Sequence, residues 1–69
     1  LVELFQNVVI LLVKGISLPK EYKEHPLTGD KKGFTDIHLK PDLLILYKID
    51  IEEDELHLIR IGSHSAIFG

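Results

Sequence analysis

Apolar residues in the first fourteen positions recur at spacings of three and four: Leu1, Leu4, Phe5, Val8, Leu11 and Leu12. That spacing puts them on one face of a helix. Glu3, Gln6, Asn7 and Lys14 occupy the rest of the circumference. Gly15 stands where a helix ends, because glycine enters the left-handed conformation of a C-terminal cap without steric cost. The β-branched Val8, Val9, Ile10 and Val13 favour a strand on propensity alone, but the length of the run and its polar face favour helix. Val9, Ile10 and Val13 also widen the apolar arc, so this helix is expected to be covered on more than one side.

Beyond it the pattern changes. Residues 16–33 hold Pro19, Pro26, Gly29 and Gly33 with Lys20, Lys23, Lys31 and Lys32 between them, which reads as an irregular basic loop with at most one helical turn. From Phe34 to Leu39, Phe34, Asp36 and His38 alternate with Thr35, Ile37 and Leu39, the signature of a strand with two different faces, and Lys40-Pro41-Asp42 turns it. Leu43–Ile49 is apolar on both faces except at Lys48 and belongs at the centre of a sheet. Glu52-Glu53-Asp54-Glu55 reads as a solvated hairpin tip leading into a strand over Leu56–Ile61. Gly62 and Ser63 end the sheet, and residues 64–69 form a short tail or turn. The expected fold is α+β: one domain over residues 1–69, with a helix packed on a small antiparallel three-stranded meander. So small a sheet leaves apolar surface uncovered, to be met by a missing N-terminal segment, a second copy or a partner protein.

Composition narrows the class. Sixty-nine residues, 45% of them hydrophobic, suffice for one core. No cysteine is present to staple it. The longest uninterrupted apolar run, Val8–Val13, falls far short of the roughly 20 residues that span a bilayer. No basic stretch precedes it as in a signal peptide, so no membrane association and a cytoplasmic location are expected. The chain opens on Leu and lacks Met, as a processed or truncated piece would. Net charge is −3, which as a whole argues against a nucleic-acid binder. The distribution weakens the objection: residues 1–48 carry +1 and residues 49–69 carry −4, with all the acids of the second part between Asp50 and Glu55.

The candidate chemistry lies in the histidines. His25, His38 and His64 each sit beside turn residues, and imidazole exchanges protons near neutrality. With Asp42 they would suit general acid–base catalysis on a phosphodiester if the meander brings them together. Each has a plainer role as a hydrogen-bonded boundary residue, and Asp42 as a turn residue bonding its own backbone. His57, inside the last strand, is expected to pair with a carboxylate on a neighbouring strand. Arg60, the only arginine, suits either bidentate phosphate binding or an acidic partner across the sheet. The spacing of His25, His38, Asp42 and His64 lacks the short helical pair of dedicated zinc sites, so neither a metal nor another cofactor is expected. No glycine-rich phosphate loop occurs.

Leu18-Pro19 with Tyr22, His25-Pro26-Leu27-x-Gly29, Gly33-Phe34-x-Asp36-x-His38, Lys40-Pro41-Asp42-Leu43-Leu44-Ile45-Leu46-Tyr47 and Arg60-x-Gly62-Ser63-His64-Ser65-x-x-Phe68 together resemble the YafQ branch of the RelE/ParE toxin superfamily. The match runs in order over about residues 11–69. The resemblance implies helices on a small, mostly antiparallel sheet, with an N-terminal strand and first helix lacking here. It also implies a type II toxin: a ribosome-dependent, metal-independent endoribonuclease that cuts mRNA and is silenced by a cognate antitoxin. Its functional residues would map to His25, His38, Asp42, His64 and Phe68. His38 with Asp42 on one side of the phosphate and His64 on the other would share base and acid roles, with His25 positioning or stabilising the phosphate. Phe68 would stack on a base or pack the tail, while Arg60, Lys31, Lys32 and Lys40 would neutralise the RNA backbone. Leu43 stands where members of this branch often carry Trp. On the same scaffold, a ParE-like protein that binds and inhibits a topoisomerase without cutting is the alternative reading, and an inactive interaction module is a further one.

Overall fold

The computed structural model describes residues 2–69. Leu1, the first residue of the expected helical face, lies outside them. Helix α1 runs Val2–Lys14 and ends at Gly15, whose φ of +71° is the left-handed conformation the sequence predicts. Gly15 N–H donates to the Leu12 carbonyl at 3.2 Å and Ile16 N–H to the Leu11 carbonyl at 2.9 Å. These are the paired bonds that satisfy the last carbonyls of a helix.

Four antiparallel strands follow, in sheet order β1-β2-β3-β4: β1 His25–Pro26, β2 Thr35–Lys40, β3 Leu43–Asp50 and β4 Glu55–Gly62. The three meander strands form as expected, with bounds shifted by a residue or so. The expected three-stranded sheet gains a short fourth member, because the supposedly irregular loop folds back along β2 with His25 opposite Asp36 and Pro26 opposite Thr35. Proline at a sheet edge leaves no ladder donor unpaired. The same loop holds two 3-10 turns rather than at most one, at Lys20–Tyr22 and Gly29–Lys31. The tail is likewise structured: His64–Phe68 is a one-turn helix, α2.

Strand alternation sorts the side chains onto two faces. On the first, Ile37, Leu39, Ile45 and Tyr47 bury against Val8 of α1, flanked by Leu4, Phe5 and Leu12. On the second, Leu44 and Leu46 bury against Ile67 of α2, with Leu27, Phe34 and Phe68 around them. A bulge assists this sorting: Leu46 faces Arg60 while Tyr47 faces Leu58, so Ile59 is the extra residue of β4. Without it, Leu58 and Arg60 would share a face. Each side chain buried in these two layers supplies about 1.5–3 kcal/mol.

α1 is covered on one side only, against the expectation of wider cover. Val2, Ile10 and Val13 of the helix, and Leu58, Ile59 and Ile61 of the edge strand β4, remain exposed. The expected uncovered apolar surface is therefore present.

Candidate functional site

The second face of the sheet carries the polar side chains. Across the strands, one row reads His25, Asp36, Leu46, Arg60, and the next reads His38, Leu44, Gly62. Neighbouring strands place opposed Cα atoms about 4.5–5.5 Å apart, so His38 and Gly62 stand roughly 10 Å from each other across β3. Asp42 lies in the exposed β2–β3 turn at the same end of the sheet. His64 follows two residues after Gly62 and opens α2. His38, Asp42 and His64 thus gather at one end of the sheet, and among the described residues no hydrogen bond or ion pair joins them.

α2 is fixed over this face by three local devices. Ser63 caps it, its Oγ accepting the Ala66 N–H at 3.1 Å. Ile67 anchors it in the core. Gly62 lets it sit close: a methyl group added there would stand 3.2 Å from Ala66 Cβ. The helix therefore presents His64 and Phe68 as a unit, with ring centroids 4.7 Å apart at 42°. Lys31 Nζ lies 5.9 Å from the Phe68 ring centre, within cation–π range. Phe68 also packs in the second-face cluster, so its plainer role is realised while its ring still meets His64 and Lys31.

Arg60 makes no ion pair across the sheet among the described residues. Its Nη1 donates to the Ala66 carbonyl at 3.3 Å, tying β4 to α2. Arg60 and Lys31 line a cleft of about 240 Å³ with Asp30, Phe34, Leu46, Ile59 and Ile67. Cations over an apolar and aromatic floor suit a phosphate with its base. A second cleft, of about 380 Å³ along the open edge of β2, is lined by His38, Lys40, Pro41, Lys23 and Tyr22. Lys32 is exposed and outside both clefts.

His25 stands apart from the other histidines. Its Nε2 lies 2.9 Å from Asp36 Oδ1 and its Nδ1 lies 3.0 Å from the Lys23 carbonyl oxygen. Asp36, given no role by the sequence reading, is the buried acid of the molecule, at 2% exposure. An acid in a strand that pairs with the wholly apolar middle of β3 must find a partner, and that was the available signal. His57 pairs with Glu55 at 3.0 Å, on its own strand and not on a neighbouring one as expected. Tyr47 donates to Glu24 Oε2 at 2.5 Å. Burial foremost, then the bond to Glu24, pushes its phenol well above the usual tyrosine range.

This arrangement defines a small α+β protein with a histidine-bearing, cation-lined face. Over residues 1–69 the chain matches the model of the family described as the bacterial toxin of type II toxin-antitoxin system, YafQ, and it belongs to that family. It is 40% identical over 60 residues to the mRNA interferase toxin YafQ of Escherichia coli K12, covering 87% of this chain and 63% of that protein. It is 38% identical over 56 residues to the putative toxin YafQ of Haemophilus influenzae, covering 78% of this chain and 55% of that protein. The chain thus spans less than two thirds of the curated relatives it matches. Among solved structures, a metal-bound toxin from Helicobacter pylori superposes with a TM-score of 0.89 at 47% identity, over 96% of this chain and 73% of that one. The E. coli DinJ–YafQ toxin-antitoxin complex superposes at 0.84 with 36% identity, over 99% and 74%.

The H. pylori toxin is metal-bound. Asp50, Glu55 and His57 bring ligand atoms within 4.8 Å of one another, but at the β3–β4 hairpin, the far end of the sheet from His64. His25, His38, Asp42 and His64 form no such set among the described residues.

Proposed function

We propose that this protein is the toxin of a type II toxin-antitoxin pair, acting in the cytoplasm as a ribosome-dependent endoribonuclease on mRNA. The observation that carries this reading is the docking of α2, with His64 and Phe68, over the sheet end that bears His38 and Asp42, beside Arg60 and Lys31. The names of its relatives, an mRNA interferase toxin and a toxin held in an antitoxin complex, support it. No helix among the described residues is long and apolar enough to cross a membrane.

RNA carries its own nucleophile. One of His38, with Asp42, and His64 removes the 2′-OH proton, and O2′ attacks the adjacent phosphorus. The bond from phosphorus to O5′ breaks, and the other group protonates O5′. The products are a 2′,3′-cyclic phosphate and a 5′-hydroxyl. Arg60 and Lys31 balance the phosphate charge, and Phe68 offers a ring for a base at roughly 1–3 kcal/mol.

The antitoxin is the expected protein partner. The exposed apolar residues of α1 and β4 offer surface for it or for a second copy. Programmed ribosomes incubated with the protein at constant magnesium, with and without a chelator selective for transition metals, test the reading by mapping of cut ends. Cyclic-phosphate and 5′-hydroxyl ends at the same rate in both are expected. An intact message under conditions that arrest growth in vivo would overturn it in favour of a toxin that only binds.

A further inference from the structure

His25 reaches the second face from a thin support. β1 is two residues long, both of them exposed, and Pro26 gives its ladder no donor. The segment before β1 is better anchored, and on the opposite face. Leu18 and Tyr22 pack against the first-face cluster. Lys23 closes the 3-10 turn, its N–H donating to the Lys20 carbonyl at 3.0 Å, and takes a left-handed φ of +48°.

A single residue, Glu24, stands between that turn and β1. Its Oε2 accepts the Tyr47 hydroxyl at 2.5 Å. Tyr47 is 3% exposed and belongs to the layer that closes on Val8, so its ring is fixed by packing and its one hydroxyl hydrogen is committed to a carboxylate. The register explains the reach. Pro26, Thr35 and Tyr47 form one row across β1, β2 and β3, and the phenol extends along it from the third strand toward the edge where Glu24 enters. Successive residues of an extended segment point to opposite faces. Glu24 is thus held on the first face, and His25 emerges on the second with Nε2 2.9 Å from Asp36 Oδ1.

We propose that Tyr47, acting through Glu24, is a positioning residue for His25: a hydrogen bond on the α1 side of the sheet fixes where the imidazole stands on the RNA side. This rests on the ribonuclease reading and holds whether the ring moves a proton or binds phosphate. Glu24 is exposed, so without the phenol its carboxylate returns to water, and the ring is left to a two-residue ladder and its own contacts. Displacing a functional group by about 1 Å can cost about 10²-fold in rate.

Tyr47→Phe deletes the hydroxyl and keeps the ring in the core. Single-turnover cleavage of a programmed message should fall about tenfold or more. In a His25→Ala background the same substitution should cost less than about twofold. Equal losses in both backgrounds overturn the proposal, since a general loss of folding acts whether or not the imidazole is present. Glu24→Ala should match Tyr47→Phe, and the double variant should be no slower than either single one. Glu24→Gln, whose amide oxygen still accepts from the phenol, should stay within about twofold of wild type. A Glu24→Ala protein that cuts at the wild-type rate overturns the proposal. Nitrogen-15 NMR reads the placement without RNA: the His25 ring signals should move in Tyr47→Phe while those of His57, near the β3–β4 hairpin, stay. Unmoved His25 signals overturn the proposal whatever the rates. If the wild type leaves programmed ribosomes uncut, the ribonuclease reading fails, and the NMR comparison alone decides whether Tyr47 places the ring.

Discussion

The two faces of this sheet are built from the same strands and do different work. Toward α1, Ile37, Leu39, Ile45 and Tyr47 close on Val8, and the layer's buried side chains are apolar apart from the Tyr47 hydroxyl. Toward α2, Leu44 and Leu46 form a smaller floor, and Asp36, His38 and Arg60 stand on the same face around it. The larger dry layer supplies the stability on which the second can carry polar groups. Strand alternation lets adjacent residues serve opposite purposes, as Asp36 and Ile37 do.

Substitutions on the two faces should separate activity from stability. His64→Ala should lower cleavage on the order of 10²–10⁴-fold while leaving the urea midpoint in place, since His64 is exposed. An unchanged rate would remove His64 from the proton transfers. On the other face, Ile37→Ala should cost about 2–5 kcal/mol of unfolding free energy by creating a cavity, because Ile37 is fully buried. A loss below about 1 kcal/mol would mean that the α1 layer is not the main source of stability.

Smaller changes sharpen the contrast. Ser63→Ala removes the cap of α2 and should cost about 1 kcal/mol, with a fall in cleavage as His64 and Phe68 lose their shared placement. A fall in stability with cleavage intact would show that α2 need not be ordered for activity. Tyr47 tests the α1 face by pH. Its folded-state pKa is raised, so its contribution is complete below the ordinary tyrosine value of about 10 and is lost as pH rises above it. Wild type should therefore weaken at up to about 1.4 kcal/mol per pH unit in that range, and Tyr47→Phe should weaken less steeply in alkaline unfolding titrations. Parallel slopes would remove Tyr47 as the cause.

Much of the fold was legible because it rests on repeating patterns. The three- and four-residue spacing from Leu4 to Leu12 with Gly15 after it defined α1, and alternation defined β2 through β4. What stayed hidden lacks a period. β1 is two residues long and contains Pro26, so no strand signal exists, and only pairing with β2 creates it. α2 has five residues, too few for a periodic face, and Ser63 as a capping residue was its one local cue. The histidines at strand ends could be named from the chain, but which of them meets a carboxylate could not. His25 finds Asp36 through a register that depends on the path of an entire loop, and His57 finds Glu55 two residues away. Asp36 itself read as one polar position of an alternating strand, and nothing in the chain alone marks that β1 pairs there and sets His25 opposite it.

The most direct measurement of the central claim is cleavage of a programmed message that carries a single 2′-deoxynucleotide immediately 5′ of the mapped cut. If the histidine-bearing face activates the RNA's own hydroxyl, that message stays intact at this site while the all-ribose control is cut. Cutting of both at equal rates would mean that an external nucleophile does the work and would contradict the account.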